Sequence, residues 1–140
     1  MEINQYMVKA KKTGSDEWIY GYYANQLDET LLFEPYPQGL MTHGVIGSSI
    51  CRPTMLLDSE DNMIWENDLI KRENGLLWIV KFGEYTLLDT QGLSINCYGF
   101  YLQEVTHKKV KCIESILEVN LEVFEVIGNR FDNPELMEVR

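Results

Sequence analysis

The two histidines are the first candidates for catalytic or metal-binding chemistry. His43 stands beside Gly44, and His107 is followed by two lysines. Neither lies four residues from another metal ligand, and no H-E-x-x-H motif occurs, so the pattern of a catalytic zinc site is missing. We interpret His43 as a histidine in a surface loop, with a loop acid or base as the alternative, and His107 as solvent-facing.

The three cysteines offer little redox or zinc chemistry. Cys51, Cys97 and Cys112 are an odd number, lie far apart and include no C-x-x-C pair. We therefore expect free, partly buried thiols, which suit a cytoplasmic location. No apolar run resembles a signal peptide, and none approaches ~18 uninterrupted apolar residues, so no association with a membrane is expected.

The acidic run DSEDN at residues 58–62 places oxygen ligands at alternate positions. A calcium-binding EF-hand loop needs glycine at its sixth position and glutamate at its twelfth, where this chain has Met63 and Leu69. A polar turn between two strands explains the run better. Phosphate-binding glycine loops and G-x-S-x-G elbows do not occur either. We predict no catalytic, cofactor-binding or metal-binding residues, no cofactor, and a chain that is not an enzyme.

Charge limits the classes of partner. The chain has 22 acidic and 12 basic residues, a net charge of −10, and its mean field repels nucleic-acid phosphates and anionic lipids. Nucleic-acid binding is therefore not expected, although a negative surface could also mimic DNA. Two groups of lysines could form a local basic face: Lys9, Lys11 and Lys12, and Lys108, Lys109 and Lys111. The simpler interpretation is that they are ordinary solvated lysines.

Alternating aromatic residues predict a strand near the N-terminus. Trp18, Tyr20 and Tyr22 fall on one face, with Ile19 and Tyr23 on the other. A core layer packed under a sheet is the favoured interpretation, because aromatic side chains bury large areas. The alternative is a surface that stacks against a partner, which makes Trp18, Tyr20 and Tyr22 candidate partner-binding residues.

The clearest hairpin spans residues 64–82. The segments IWENDLIK and LLWIVKF flank Asn74-Gly75, two residues that tolerate positive φ. A second tight turn is predicted at Gly83-Glu84, and another strand at CYGFYLQEV. With an N-terminal β region, these strands predict a mainly β fold, either an antiparallel meander or a small SH3-like barrel across residues 54–105. An α+β fold is the alternative.

The C-terminal third gives mixed signals. Residues 112–127 contain both LEVNLEV, which alternates like a strand, and CIESIL, which also fits a helix at residues 113–117. We favour strand at the end of this segment because β-branched residues are frequent there. Beyond it, Asn133 as an N-cap, Pro134 in the first turn and Glu135 beside the helix dipole predict a short C-terminal helix.

No repeat, low-complexity tract or flexible linker divides the chain. We predict a single domain over residues 1–140. The alternative is a sub-domain break near residues 35–45, where Pro35, Pro37 and Gly39 interrupt the segment EPYPQGLMTHG.

Two segments resemble the signature regions of the YopX family, small proteins carried by phages and prophages of bacteria. TMLLDSEDNMIWENDLI, residues 54–70, is similar to a pattern of Thr-Gly-Leu, a charged turn, then an aliphatic, an aromatic and an acidic residue, Gly and Asp. Met55 and Asn67 stand where that pattern has glycine. EVIGNRFDNPELM, residues 125–137, is similar to the family's C-terminal pattern E-V-I-G-N-x-aromatic-x-N-P-E-L. The matching positions are Leu56, Asp58, Ile64, Trp65, Glu66, Asp68, Gly128, Asn129, Phe131, Asn133, Pro134, Glu135 and Leu136.

This resemblance implies a mostly β fold and a phage or prophage origin, and it brings no established activity, cofactor or catalytic residue. Phe131 and Leu136 fit side chains that anchor the tail onto a sheet, or an epitope that docks into a partner, and they are also candidate partner-binding residues.

For function, we expect a cytoplasmic, non-catalytic interaction module that binds an unknown host or phage protein. A homo-oligomer could form through strand edges or the aromatic face. The alternatives are a nucleic-acid-related protein or acidic DNA mimic, and an enzyme of unknown type that uses His43 or a hidden pair of carboxylates.

Overall fold

A computed structural model describes residues 2–37, 39–72, 75–109, 111–116 and 124–138. The chain divides into two compact units, Met1–Met55 and Leu56–Arg140. Regular structure in the described ranges is almost all β-strand, and these ranges contain no helix of seven residues or more. The mainly β prediction is confirmed, whereas the interpretation of residues 1–140 as one domain stays a prediction.

The first unit is built on a four-stranded antiparallel sheet with the strands in chain order. Its strands are β1 (Val8–Lys11), β2 (Trp18–Gln26), β3 (Glu29–Tyr36) and β4 (Gly39–Gly44), and a short 3-10 helix follows at Gly47–Ser49. Leu27 and Asp28 have φ of 50° and 66°, which suits the tight turn between β2 and β3.

The described residues of the segment EPYPQGLMTHG, 34–37 and 39–44, belong to the β3–β4 hairpin, with Tyr36 opposite Gly39. His43 lies in β4 opposite Leu32. The interpretation of His43 as a loop residue is wrong, because the pairing with β3 continues through it to Gly44.

One face of this sheet carries the core of the first unit. Ala10, Ile19 and Leu32 pack there with Val45. Trp18, Tyr20 and Tyr22 alternate with Ile19, so they lie on the other face, where all three are half-buried. The buried row of β2 is therefore the one that contains Ile19.

The second unit contains a five-stranded antiparallel sheet with the strands β7 (Asp68–Lys71), β8 (Leu77–Leu88), β9 (Ser94–Glu104), β10 (Ile113–Ser115) and β11 (Glu125–Asn129). Across the sheet they lie in the order β10-β9-β8-β7-β11. A separate pair is formed by β5 (Pro53–Leu57) and β6 (Met63–Trp65). The core of the unit contains Ile64, Ile70, Trp78, Val80, Leu102, Ile116 and Phe124.

The meander prediction is confirmed, since β7, β8, β9 and β10 are successive neighbours in the sheet. No closed barrel is found in the described ranges, so an SH3-like barrel across residues 54–105 is not observed. The β7–β8 hairpin has Lys71 opposite Leu77, and Gly75 has the expected positive φ of 80°. Asn74, the other predicted turn residue, lies outside the described residues.

Two boundaries in this region differ from the sequence-based expectation. The segment IWENDLIK is two strands, because Asn67, with φ of 72°, turns the chain between β6 and β7. The predicted turn at Gly83-Glu84 is wrong, because β8 continues through both residues to Leu88. Gly83 does have an unusual φ of 144°, but β9 stays in register on both sides of it.

The C-terminal region also departs in part from expectation. Ile113–Ser115 is a strand and not the start of a helix, and Glu125–Asn129 is a strand as favoured. The ambiguous residues 117–123 lie outside the described residues. The predicted terminal helix is a single 3-10 turn at Pro134–Met137. Asn133 does not cap it, because its Oδ1 accepts a hydrogen bond from the Asn129 N–H at 3.2 Å.

The described ranges contain no helix that is long and apolar enough to cross a membrane. Within the same ranges, no group of three or more His, Cys, Asp or Glu side chains is arranged to hold a metal ion. None of the three cysteines, all of which are described, forms a disulfide.

Candidate functional site

The long β8–β9 hairpin is a two-stranded ribbon over much of its length. In the described part of the chain, β7 pairs with β8 only at Leu77–Ile79 and β10 pairs with β9 only at Tyr101–Gln103. The Asn67 N–H adds one bond, to the Val80 carbonyl oxygen at 2.7 Å. The part beyond these contacts, residues 84–98, is called here the β8–β9 arm.

Two glycines mark the base of the arm. Gly83 and Gly99 are directly opposite each other, with φ of 144° and 147°. A side chain in place of either hydrogen would meet no atom within 4 Å, so backbone conformation and not crowding calls for glycine. The pair therefore sets a distinct backbone conformation at the same level of both strands.

The face that carries most of the apolar side chains changes at this glycine pair. In the body of the sheet, β8 and β9 contribute Trp78, Val80 and Leu102 to the core cluster, all even-numbered, while Ile79 on the odd face is also buried. Opposite residues in this register have the same parity, so odd and even positions form the two faces of the arm. In the arm the odd face is apolar, and we call its members the apolar row: Tyr85, Leu87, Ile95 and Cys97.

The apolar row is accessible and held in place. Ile95 is 44% exposed, and Leu87 and Cys97 are half-buried. Tyr85 stacks on Tyr101 with ring centroids 4.8 Å apart, and its hydroxyl lies 3.2 Å from the Ser115 Oγ. Apolar surface continues at the tip of the arm at Leu88 and Leu93, which are 69% and 62% exposed. Tyr98, 72% exposed, lies at the base of the arm opposite Glu84.

The tip of the arm is ordered by one carboxylate. Asp89 Oδ1 accepts hydrogen bonds from the N–H groups of Gln91 at 2.8 Å and Leu93 at 2.9 Å. Gly92 supplies the positive φ, 81°, that completes the turn. An arm with a fixed tip loses less conformational entropy when it binds than a flexible loop would.

The predicted aromatic residues Trp18, Tyr20 and Tyr22 do lie together on one sheet face. The Trp18 ring already makes cation–π contacts, since the Nζ atoms of Lys9 and Lys11 lie 4.5 and 4.7 Å from its centroid. These lysines are only 7% and 8% exposed, so the interpretation of both as solvated lysines is wrong.

The predicted tail residues have local structural roles. Phe131 is half-buried, and the Arg130 guanidinium lies 5.1 Å from its ring centroid. Asn129 Oδ1 accepts the N–H groups of Phe131 and Asp132, both at 2.9 Å, which fixes the turn after β11. Leu136 is half-buried in the 3-10 turn that follows.

The two segments similar to the YopX signature regions meet in space. β11, from the second segment, pairs with β7, from the first, with Val126 opposite Ile70 and Asn129 opposite Asp68. The Arg130 N–H donates to the Asn67 carbonyl oxygen at 3.1 Å. The two signature segments therefore pack together as one part of the fold.

Asp58 links the two signature segments by hydrogen bonds. Its Oδ1 accepts the N–H groups of Glu60 at 2.9 Å and Asn62 at 2.8 Å, and its Oδ2 accepts the N–H of Val126 at 2.9 Å. Burial raises the pKa of Asp58, but these backbone hydrogen bonds outweigh it and hold the pKa below its ordinary value. The predicted polar turn at residues 58–62 is confirmed, and this carboxylate serves the fold.

Met55 and Asn67, which replace the glycines of the family pattern, both adopt positive φ, 64° and 72°. The backbone geometry expected of glycine is thus retained by residues with side chains. Asparagine tolerates this conformation well, whereas methionine does not.

Sequence reasoning missed the arm because it placed a turn at Gly83. Two signals were available. Residues 84–88 and 94–98 both alternate between polar and apolar side chains, and residues 93–103, LSINCYGFYLQ, contain no charge and no proline.

Comparison with models of protein families finds a match to the model described as YopX protein, over residues 4–138. A search of curated proteins finds no match.

Proposed function

The chain belongs to the YopX family, and we propose that it is a non-catalytic interaction module that binds a host or phage protein through the β8–β9 arm. The observation that carries this proposal is the apolar row on a two-stranded ribbon. The tail residues and the aromatic face of the first sheet contribute less, because their side chains already have intramolecular contacts.

An apolar two-stranded ribbon is expected to require a covering partner. Isolated hairpins are marginally stable in water, and they usually gain stability from a third strand or from packing on one face. Exposed Leu93 and Ile95 in addition leave apolar surface in water. A partner that covers the apolar row would pack on one face of the hairpin and would also remove this apolar surface from water.

The arm suits a protein partner better than nucleic acid. It carries Glu84 and Asp89 and no basic residue, so it offers no contact for phosphate. Its row of aliphatic and aromatic side chains is typical of the centre of a protein interface, from which charges are usually missing.

Affinity capture from an extract of the host bacterium tests the proposal. The bait is the intact chain, compared with a double variant, Leu87→Ser with Ile95→Ser. The matched control removes two exposed apolar side chains of the β3–β4 hairpin, Leu40→Ser with Met41→Ser, which are 65% and 47% exposed in the native chain.

We expect proteins that are enriched by the native chain and the control variant, and lost with the arm variant. Full burial of a leucine or isoleucine contributes about 1.5–3 kcal/mol, but Ile95 is 44% exposed and Leu87 is half-buried, so binding would bury only part of each side chain. The double variant should therefore lose about 1–2 kcal/mol and bind about five- to thirtyfold more weakly. Equal enrichment by all three baits would contradict the proposal. A gel shift with DNA at physiological salt would favour the nucleic-acid alternative instead.

A further inference from the structure

The outer edge of β9 has no strand partner along the arm, as far as the described residues extend. The Glu104 N–H donates to the Cys112 carbonyl oxygen at 3.0 Å, so even-numbered residues of β9 direct their backbone groups towards the β10 side. β10 ends at Ser115, opposite Tyr101. No described residue pairs with the outward N–H and C=O groups of Asn96, Tyr98 and Phe100, and we call residues 94–100 the open edge of β9.

This edge lacks the features that keep strand edges apart. Natural edges are usually protected by charged side chains, especially lysine, or by proline. Residues 93–103 contain neither. The outer edge of β8 differs, since Lys81 and Glu84 are on that strand. The open edge of β9 is thus suited to pair with another strand.

Charge leaves this edge as the place where a second copy of the chain can supply that strand, because residues 93–103 carry no charge. Two copies that each carry a net charge of −10 repel each other over most of their surfaces. Contact between two uncharged edges avoids this repulsion. A self-complementary patch on a twofold axis is also the commonest way in which soluble proteins associate.

The register of such a pair follows from the length of the edge. Full antiparallel overlap of residues 94–100 places Ser94 opposite Phe100 of the second copy, and Cys97 opposite its own counterpart. Odd residues do not direct their backbone groups to this edge, so the two Cys97 residues would form a non-hydrogen-bonded pair, with Cα atoms about 4.5 Å apart. That distance is within the range bridged by a disulfide.

We infer that two copies of the chain associate by antiparallel pairing of β9 at residues 94–100, which joins both arms into one four-stranded sheet. Their apolar rows then lie on the same face of that sheet and form a larger surface for the protein partner. The inference rests on the proposed function, because the paired arms would present their apolar rows together to the protein partner. Because a seven-residue edge buries less than the roughly 800 Å² per partner of a standard interface, the association should be weak and concentration-dependent.

Light scattering over a series of concentrations tests the pairing. Asn96→Pro removes an outward N–H from the β9 edge, and Thr86→Pro removes one from the β8 edge directly opposite in the arm. We expect the mass of the native chain and of Thr86→Pro to rise from one copy towards two, while Asn96→Pro stays at one. Asn96→Lys and Thr86→Lys repeat the comparison without proline, and far-ultraviolet dichroism checks that each variant is folded.

Oxidised glutathione tests the register. It converts two facing thiols into a disulfide and is itself reduced to two glutathione molecules. With Cys112→Ser, we expect disulfide-linked dimers through Cys97, and with Cys97→Ser we expect none. A native chain that stays a monomer up to about 1 mM would overturn the inference. Equal behaviour of the two proline variants, or crosslinking only through Cys112, would also overturn it.

The two proposals can fail separately. If the native chain is a monomer, yet capture of a foreign protein still depends on Leu87 and Ile95, this inference is wrong and the proposed function stands. If dimers form as expected while capture does not depend on the apolar row, the pairing stands and the proposed function is wrong.

Discussion

Replacement of Asp58 by asparagine should destabilise the second unit strongly. The amide keeps one oxygen, which can still accept the N–H groups of Glu60 and Asn62. Its NH₂ group then faces the Val126 N–H, where Asp58 Oδ2 accepted a hydrogen bond at 2.9 Å. Two donors meet, and a backbone N–H of β11 loses its partner.

The size of the effect follows from these contacts. An unsatisfied buried N–H costs about 1–3 kcal/mol, and the remaining two bonds lose the contribution of a charged acceptor. We expect Asp58→Asn to lower the free energy of unfolding by about 2–4 kcal/mol at pH 7. With a typical urea dependence, this moves the midpoint of unfolding by about 1–2 M.

The difference should depend on pH. Because the pKa of Asp58 is lower in the folded chain than its ordinary value of 3.8, its ionised form stabilises the fold above that value. The stabilisation is lost as the pH falls through the folded pKa. Urea unfolding of the native chain and the variant should therefore converge in acid, below the ordinary value.

Asp61→Asn is the matched control, since it removes the same charge from the same turn. Asp61 has a positive φ of 60°, which asparagine tolerates, so its effect should stay within about 0.5 kcal/mol. Equal effects of the two substitutions, or a difference for Asp58→Asn that does not change with pH, would refute the role assigned to this carboxylate.

Substitutions at three further positions test backbone conformation and close packing. Met55→Gly should stabilise the chain by about 0.5–1 kcal/mol in thermal unfolding, because relief of positive φ exceeds the entropy cost of glycine, and Met55→Val should do the opposite. Gly99→Ala should destabilise the chain by about 1–3 kcal/mol, while a neutral result would show that φ of 147° is not required. Gly128→Ala should destabilise by a similar amount, about 1–3 kcal/mol, because its Cβ would meet the Asn133 side chain. Smaller damage from Gly128→Ala in a chain that already carries Asn133→Ala would identify that contact as the cause.

Features that depend on neighbouring residues could be predicted from the sequence. The β7–β8 hairpin and the polar turn at residues 58–62 follow from local alternation and turn chemistry. The turn at Gly83 could not be excluded in this way, because glycine serves both in turns and in distorted strands. Only the register with Gly99 shows that the strand continues.

Features that depend on contacts between residues far apart in the sequence were harder to predict. Alternation alone identified two faces of β2 but not which face is buried, and the answer depends on Ala10, Leu32 and Val45. Burial of Lys9 and Lys11 likewise requires their register with Trp18 across β1 and β2. The pairing of β7 with β11 joins residues more than fifty positions apart, so the sequence offered the two signature segments without showing that they touch.

Alkylation of the cysteines tests the central claim, that the β8–β9 arm is covered by a second copy of the chain or by a protein partner. Cys97 belongs to the apolar row, and exposed Cys112 is an internal reference in the same chain. Mass spectrometry after brief maleimide treatment gives the ratio of labelling at the two thiols. The account predicts that this ratio falls several-fold when the dilute purified chain is concentrated or is mixed with host extract. A ratio that stays constant in both conditions would contradict it.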